Sequence, residues 1–278
     1  MTTSDASVGA LAAARSLLFV PGSRPDRFGK AAAGGSGGVI LDLEDAVASA
    51  EKEQARVHVD NWLTSGGGGI VRINGLTTSW HDDDVAMLAS HDCAVMLPKA
   101  EHPGDVQALR AGLRREVAVV VLIETATGVL RAPEICAAAG VARAAFGSVD
   151  LAAQLGVDHQ DHVPLDHARA TIVLASASAG IASPLDGVTT DLLDAERLAS
   201  AAARAARLGF TGKLCIHPGQ IAAVHAAFGP TREQAAWAER VLASAGRGDV
   251  TVVDGQMVDA PVVERARRVL AAWRQSGV

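Results

Sequence analysis

The amino-acid sequence predicts an α/β protein, a TIM (β/α)8 barrel with additional C-terminal helices. Its length of 278 residues suits one barrel of about 250 residues. Apolar runs and helical stretches alternate along the chain at intervals of roughly 22–38 residues, which is the rhythm of βα units. Nearly half of the residues are hydrophobic, whereas aromatic residues are scarce. This composition favours helices packed on a parallel sheet of aliphatic strands.

The first four strands are predicted from short apolar runs that end at turn-forming or charged residues. These runs are Leu17–Val20, Gly38–Leu41, Ile70–Ile73 and Ala94–Leu97. Helices are expected at Asp26–Ala33 and Glu51–Thr64, and a flexible glycine-rich turn follows the second of them.

The last four strands are predicted at Val117–Ile123, Ala144–Phe146, Pro184–Asp186 and Lys213–Ile216. The first of these is an uninterrupted apolar run, which is typical of a strand covered on both faces, and the third is the weakest signal. A helix of small residues is expected at Asp166–Ala179. A doubly wound open sheet is the alternative fold, but the dinucleotide fingerprint GxGxxG is missing after the first strand.

From about residue 230 the pattern changes, and we treat residues 1–278 as one barrel domain with a C-terminal extension of helices and a hairpin. Amphipathic helices are predicted at Thr231–Ser244 and Val262–Trp273, and a hairpin at Val252–Asp259 turns at Gly255. A barrel requires none of these elements, so we expect them to cap the barrel or to contact a neighbouring subunit.

Composition excludes several classes of protein. The formal net charge of −6 and the lack of a basic stripe argue against a nucleic-acid surface. No apolar run reaches the roughly 18 residues that cross a bilayer. The first sixteen residues lack the basic and apolar regions of a signal peptide, so we expect a frayed tail on a cytoplasmic protein. Cys93, Cys136 and Cys215 lie in apolar surroundings without a CxxC motif, which predicts reduced core thiols.

Ionisable residues follow almost every predicted strand. They are Arg24, Glu44, Asp45, Arg72, Lys99, Glu124, Asp150, Asp186 and His217. In a TIM barrel the C-terminal ends of the strands carry the active site, so these side chains are expected to converge on one face.

A magnesium site is predicted at Glu124 and Asp150, each of which comes shortly after a buried strand. A carboxylate at such a position is costly without a partner, and Mg²⁺ binds through one or two carboxylates plus waters and substrate oxygens. Each residue also has a structural alternative. Glu124 could interact with the dipole of the next helix, and Asp150 could cap a helix that begins at Leu151.

Arg72 interrupts an otherwise apolar strand, and a buried guanidinium needs an anionic partner. That partner is either a structural carboxylate or the carboxylate of a bound substrate. Glu44 and Asp45 bring two more acids close to the predicted metal. One of them could orient Arg72 or bind a metal water, and the other could only cap the next helix.

Basic residues after the first strand, Arg24, Arg27 and Lys30, are candidates for binding the phosphates of a cofactor, together with Lys99 after the fourth strand. The alternative is an ordinary solvated helix face. His217 is interpreted as a packed or helix-capping residue.

At this point several motifs resemble one known family. In order they are LFVPGSRPDRFGKA, VILDLEDAV, VMLPKAE, LIETATGV, FGSVDLAAQLG, LCIHPGQ and GQMVDAPVVERA, and they span about Leu17 to Arg268. The chain is similar to the citrate lyase beta-subunit-like proteins of the HpcH/HpaI aldolase, citrate lyase and malyl-CoA lyase superfamily, and among these it resembles the stand-alone members that use coenzyme A (CoA).

The resemblance implies a Mg²⁺-dependent carbon–carbon lyase. Its substrate would be a 3-hydroxyacyl-CoA thioester of the citryl, malyl or citramalyl type, split to an acyl-CoA and a 2-oxo acid such as oxaloacetate, glyoxylate or pyruvate. Glu124 and Asp150 would hold the metal, and Arg72 and Glu124 would bind the oxo acid. Glu44, Asp45 and Asp259 would complete the catalytic set, with Asp259 reaching the site of a neighbouring subunit as the proton donor or acceptor.

The resemblance also implies that the segment PGSRPDRF contacts CoA and that the chain forms a homo-oligomer, a trimer or a hexamer. One alternative on the same scaffold is a malyl-CoA thioesterase or a malate synthase. An alternative of another class is a non-catalytic protein that binds CoA thioesters or serves as a scaffold. Three costly buried charges argue against that last class, because a scaffold has no need for them.

Overall fold

The computed structural model describes residues 9–113, 116–245 and 251–274. Eight parallel strands form a closed barrel in the order β1 to β8, and β8 pairs with β1. The predicted TIM barrel is confirmed, and helices surround the strands.

The barrel strands lie close to their predicted positions. They are β1 (Ser16–Pro21), β2 (Val39–Asp42), β3 (Ile70–Arg72), β4 (Ala94–Leu97), β5 (Val119–Ile123), β6 (Val141–Phe146), β7 (Ala182–Asp186) and β8 (Gly212–Cys215). The largest difference is at β6, which begins three residues before its predicted start. Arg143 breaks the apolar run there, yet its side chain is completely buried.

The helices are more numerous than the sequence analysis identified. They are α1 (9–13), α2 (Phe28–Ala32), α3 (Lys52–Thr64), α4 (His81–Leu88), α5 (Pro103–Leu113), α6 (Ala126–Leu130), α7 (Ala132–Cys136), α8 (Ser148–Leu155), α9 (Asp166–Ser178), α10 (Ala195–Leu208), α11 (Ile221–Phe228), α12 (Arg232–Ala245) and α13 (Ala260–Arg274). Short 3-10 turns occur at Pro25–Arg27, Ser49–Glu51, Val163–Leu165 and Pro218–Gln220.

Side chains that point into the barrel alternate along each strand, as the pleat requires. Ile40, Ile70 and Leu122 belong to one buried apolar cluster inside the barrel. Two residues further along the same strands come Asp42, Arg72 and Glu124. The apolar interior therefore gives way to charged side chains at the C-terminal ends of the strands.

The other end of the barrel is closed by the N-terminal helix α1, where Leu11 and Ala14 join the interior cluster. The Arg143 guanidinium donates to the carbonyl oxygens of Leu11 and Ala14, both at 2.7 Å. It also donates to the Ser183 carbonyl and the Thr211 hydroxyl, both at 2.8 Å. Burial lowers the pKa of Arg143 to about 10, but four good acceptors still compensate the charge.

The expectation of a frayed N-terminal tail is wrong for residues 9–16. These residues form α1 and the start of β1, and Leu11 is buried. The sequence showed mostly small residues there, and the partner that holds them, Arg143, lies more than a hundred residues away in the chain. Residues 1–8 lie outside the described part of the chain.

The chain divides into two compact units, Met1–Ala227 and Phe228–Val278. In the second unit, α12 and α13 flank a hairpin of β9 (Thr251–Val253) and β10 (Gln256–Val258), which turns at Gly255 with φ +76°. Its core contains Ala235, Ala238, Val241, Val258, Ala266 and Leu270. These elements confirm the predicted C-terminal helices and hairpin, while the assignment of one domain with an extension stays a prediction.

The cysteine prediction holds for two of the three residues. Cys136 and Cys215 are buried free thiols, and burial raises the pKa of each to about 11. Cys93 is only partly buried. Within the described ranges, no helix has the length and apolar character needed to cross a membrane.

Candidate active site

A cavity of about 510 Å³ opens at the C-terminal ends of the barrel strands. It is lined by Phe19, Asp42, Asp45, Ala46, Arg72, Leu122, Glu124, Phe146, Gly147, Ser148, Val149, Asp150, Val188, Leu214 and Ile216. Four acids and one arginine thus share a largely apolar wall. Such a cavity, with a few polar groups that converge, is the usual form of a small-molecule site.

Arg72 lies inside this cavity and is held by carboxylates on strand β2 and the loop after it. The register of β2 and β3 places Asp42 opposite Arg72. The guanidinium donates to both oxygens of Asp42, from Nε at 2.7 Å and from Nη2 at 2.6 Å. Its Nη1 lies 3.0 Å from Glu44 Oε2, and its Cζ lies 4.7 Å from the centre of the Phe19 ring. The guanidinium is therefore fixed in place before any ligand binds.

Burial alone would lower the pKa of Arg72, but Asp42, Glu44 and Glu124 together raise it above its ordinary value. A guanidinium carries five N–H groups. The hydrogen bonds to Asp42 use two of them, on Nε and Nη2, and Nη1 forms an ion pair with Glu44. N–H groups on the two terminal nitrogens therefore remain to contact a second carboxylate.

Asp42 is the functional residue that sequence reasoning missed. Besides Arg72, it accepts hydrogen bonds from the backbone N–H groups of Glu44 at 2.9 Å and Ala46 at 3.2 Å. It therefore fixes both the arginine and the loop after β2. The available signal was its place two residues after Ile40 on the inward face, but only the strand register shows that it lies opposite Arg72.

Glu44 bridges the two cations of the site. One oxygen contacts Arg72, and the other accepts from the Lys99 ammonium at 2.5 Å. Burial raises the pKa of Glu44, although Arg72 and Lys99 oppose that effect. Asp45 is much more exposed and lies farther away, 3.8 Å from Arg72 and 4.0 Å from Lys99.

Lys99 lies at the centre of the acidic residues, in a backbone conformation with φ +50° that is uncommon for a residue with a side chain. Its ammonium lies 3.4 Å from Asp150 Oδ2 as well as close to Glu44. Its backbone N–H donates to Glu124 Oε1 at 2.8 Å. Lys99 therefore links the loops after β2, β4, β5 and β6, and its predicted role in cofactor binding stays a prediction.

Glu124 and Asp150, the two predicted metal ligands, both line the cavity. Glu124 is only 3% exposed. Gly147 packs so closely against it that a Cβ there would lie 2.5 Å from Glu124 Oε2. Asp150, in the first turn of α8, has a side chain that is 35% exposed. Burial, Glu44 and Asp150 together raise the pKa of Glu124 to about 8.

The seven charged side chains of this region form an acid-rich cluster, with five acids and two bases. Its members are Asp42, Glu44, Asp45, Arg72, Lys99, Glu124 and Asp150. The excess of negative charge around a buried carboxylate fits a hard cation. Across the described ranges, no group of three or more His, Cys, Asp or Glu side chains is arranged to hold a metal. A metal held by Glu124 and Asp150 would complete its coordination with non-protein oxygens, as Mg²⁺ commonly does.

Arg24, Arg27, Lys30 and His217 lie outside this cluster. Arg24 pairs with Asp26 at 2.8 Å, and Arg27 and Lys30 are exposed after β1. In the second unit, Asp259 Oδ1 accepts from the Val262 N–H at 3.2 Å, at the start of α13. The predicted capping role of His217 is confirmed, because its Nδ1 accepts from the Gly219 N–H at 3.1 Å.

A second charged group, the base-rich cluster, consists of Asp186 at the end of β7, Arg169 from α9 and Lys213 from β8. Asp186 Oδ1 accepts from Arg169 Nε and its Oδ2 from Lys213 Nζ, both at 2.8 Å. Burial alone would raise the pKa of Asp186, but Lys213 and Arg169 hold it below its usual value. Lys213 also donates to the Gly187 carbonyl at 2.5 Å, so this cluster holds the loop after β7.

Several known proteins are similar to this chain. The sequence profile of a family described as HpcH/HpaI aldolase/citrate lyase matches residues 15–218. A citrate lyase subunit beta-like protein of Mycobacterium tuberculosis is 41% identical over 93% of this chain and 95% of its own. A (3S)-malyl-CoA thioesterase of Cereibacter sphaeroides is 33% identical over 92% of this chain and 93% of its own.

A solved structure is also similar over nearly the full length. It is the protein CitE from Mycobacterium tuberculosis in complex with magnesium, acetoacetate and coenzyme A. The two chains are 39% identical, with a TM-score of 0.83 over 94% of this chain and 98% of the other. The likeness therefore includes the whole barrel.

Proposed function

The chain belongs to the HpcH/HpaI aldolase/citrate lyase family, and we propose that it is a Mg²⁺-dependent lyase acting on 3-hydroxyacyl-CoA thioesters. It splits the bond between the α and β carbons of a citryl-, malyl- or citramalyl-type thioester, or forms that bond in reverse. The products are an acyl-CoA and a 2-oxo acid. The observation that carries this proposal is the convergence of Arg72, Glu124 and Asp150 on one cavity.

Glu124 and Asp150 would hold the magnesium ion, since among the four acids of the cavity they are the two that form no ion pair with Arg72. A magnesium ion at that place supplies Lewis-acid polarisation of the substrate's oxygen atoms. The fit depends on this chain's own electrostatics, because burial and neighbouring acids make a charged Glu124 unfavourable without a cation.

Arg72 binds the carboxylate of the 2-oxo acid portion through N–H groups that do not bond to Asp42. Asp42 and Phe19 keep the guanidinium still, so the bound acid is positioned with little further loss of entropy. The apolar wall, which includes Phe146, Val188 and Leu214, limits the access of water to the reacting carbons.

Cleavage requires the β-hydroxyl to lose its proton as its carbon becomes the carbonyl carbon of the 2-oxo acid. The electron pair of the broken bond remains on the thioester as an enolate, whose α carbon must then take up a proton. Asp259 of a neighbouring subunit is the proposed acid–base group, which accepts the hydroxyl proton and returns it to the α carbon. Glu44 and Asp45 support the charge balance around Arg72 and Lys99.

We also propose how the chain binds CoA and that it forms an oligomer. Arg24, Arg27 and Lys30 lie on the surface just after β1, where they would meet the phosphates of CoA. Lys99, at the centre of the acid-rich cluster, would also help to bind CoA. We also propose a cytoplasmic homo-oligomer, a trimer or hexamer, because a donor from Asp259 requires a second copy.

The direct test is turnover of malyl-, citramalyl- and citryl-CoA with magnesium, with the released 2-oxo acid trapped as its phenylhydrazone. EDTA should stop the reaction and added Mg²⁺ should restore it. Turnover that persists in EDTA would contradict the proposal. Ligand-induced thermal stabilisation without any turnover would favour a non-catalytic CoA-binding protein.

A thioesterase is the second candidate, because a relative that is 33% identical is a (3S)-malyl-CoA thioesterase. The two activities differ in their products. A lyase releases glyoxylate and acetyl-CoA from malyl-CoA, whereas a thioesterase releases malate and free CoA. Product analysis on one sample therefore decides between them.

A further inference from the structure

A second, much smaller cavity lies beside the main one, and the two share Val188 as a wall. It has a volume of about 30 Å³. Its lining includes Arg169 and Lys213 of the base-rich cluster, together with His162 and Thr189. Neither the proposed reaction nor the binding of its substrates uses these side chains.

Two buried atoms without hydrogen-bond partners belong to residues that line this cavity. In the described part of the chain, three buried side-chain nitrogens lack a partner: Arg110 Nε, His162 Nδ1 and Arg169 Nη1. The last two belong to the same small cavity. A buried polar atom without a partner is costly, so their coincidence points to a bound guest. Because an arginine N–H can only donate, the guest must be an acceptor.

Charge favours an anion over water. Arg169 is 3% exposed and Lys213 is 2% exposed, and they share the single carboxylate of Asp186, so one positive charge remains uncompensated. The Phe146 ring, 5.0 Å from Arg169 Cζ, compensates only in part. Burial, Arg169 and Arg204 all lower the pKa of His162, as a positive potential would.

The other charged groups of the cavity do not cancel this excess. Arg197 lies 3.5 Å from Asp194, so those two charges offset each other. Asp191 is half-buried, and its carboxylate accepts from the backbone N–H groups of Leu193 and Asp194. These two N–H groups lower the pKa of Asp191, so its negative charge is stabilised within that loop.

We propose that this cavity binds one small monovalent anion, such as chloride, between Arg169 Nη1 and His162 Nδ1. The volume of about 30 Å³ is enough for about one ion or one or two waters. The bound anion neutralises the base-rich cluster and so fixes the loop after β7, whose Val188 also lines the main cavity.

The decisive experiment uses wild-type crystals soaked in sodium bromide, because bromide replaces chloride and scatters anomalously. We expect one anomalous peak within hydrogen-bond distance of Arg169 Nη1. Density at that place without an anomalous signal would identify water and overturn the proposal. A bromide that contacts only exposed lysines or the protein surface would count as an adventitious ion only, with the same consequence.

A solution measurement gives an independent readout. Thermal unfolding is compared in sodium chloride and sodium gluconate at equal ionic strength, and chloride should raise the Tm of the wild type by about 2–4 °C. Arg169→Met removes the uncompensated charge and should abolish the difference, whereas the exposed Arg267→Met should keep it. If Arg169→Met does not fold, His162→Leu takes its place. Equal Tm values in both salts for the wild type would contradict the proposal.

Discussion

The acid-rich and base-rich clusters lie at the same end of one barrel, but acids are in excess in the first and bases are in excess in the second. The acid-rich cluster borders a cavity of about 510 Å³ and keeps more acids than bases. The base-rich cluster is almost wholly buried, and its one carboxylate is shared between two cations. The cavity beside the base-rich cluster has a volume of only about 30 Å³.

Buried charges therefore have different roles in the two clusters. Asp186, Arg169 and Lys213 hold strand ends and a loop together, so removing a partner should affect folding. The acid-rich cluster has a surplus that only an added cation relieves, so changes there should affect catalysis more than folding. Four sets of variants test this distinction between the clusters, and they are described from the largest expected effect to the smallest.

Asp186→Asn should destabilise the protein most. Two buried cations would lose their one ionised partner, and breaking a buried pair in this way costs about 3–5 kcal/mol. The free energy of unfolding from urea titrations checks this.

The matched change in the other cluster is Asp42→Asn, which leaves Arg72 in contact with Glu44. A clearly smaller loss of stability is expected there, because acids remain in excess. Equal losses in the two variants would remove the distinction between the clusters.

Glu124→Gln should abolish most of the activity while the protein remains folded. Loss of a metal ligand should lower kcat/KM by about 10³-fold, equivalent to about 4 kcal/mol of transition-state stabilisation. Folding should not suffer, since burial raises the pKa of Glu124 to about 8 and an amide avoids the cost of a buried charge.

Calorimetric titration with Mg²⁺ provides the second readout, and the variant should bind the metal weakly. The exposed Glu134→Gln serves as the control and should behave like the wild type. A Glu124→Gln protein with wild-type metal affinity would refute the assignment of the metal ligands.

Arg72→Lys should weaken the binding of the 2-oxo acid. A lysine cannot bind Asp42 in a bidentate manner and still offer two parallel N–H groups, so an increase in KM of about 10–100-fold is expected. The KM for glyoxylate or pyruvate in the condensation direction measures it. If KM stayed constant and only kcat fell, Arg72 would act elsewhere than on the substrate carboxylate.

The smallest effect is expected at the exposed surface after β1. A double variant, Arg27→Ala with Lys30→Ala, should raise the KM for the CoA thioester by about 3–10-fold, and the effect should shrink at high salt. Neither the Tm nor kcat should change. A variant that reduces exposed positive charge elsewhere, Arg267→Ala, should leave KM unaltered.

The barrel itself could be predicted from sequence because most strands are compact apolar runs with a clear end, although Arg143 interrupts β6 and the signal for β7 is weak. The positions of Glu124, Asp150 and Arg72 could be predicted for the same reason, since residues after parallel strands must meet at one edge. The structure brings these three to one cavity, while their chemical roles stay predictions.

The parts that sequence could not supply depend on partners distant in the chain. Asp42 became visible as the anchor of Arg72 only through the register of β2 and β3. Arg169 sits in a helix of small residues, and nothing in that segment shows that its guanidinium meets Asp186 and Lys213. Likewise, the contacts that hold helix α1 come from Arg143, which is distant in the chain.

Arg143 also bears on the order in which the barrel folds. Its acceptors come from Leu11, Ala14, Ser183 and Thr211, which span some two hundred positions of the chain. During synthesis the first helix emerges long before the last of these groups is made. The cost of withdrawing that guanidinium from water is therefore offset only when the two ends of the sheet meet, which makes ring closure a late and concerted event.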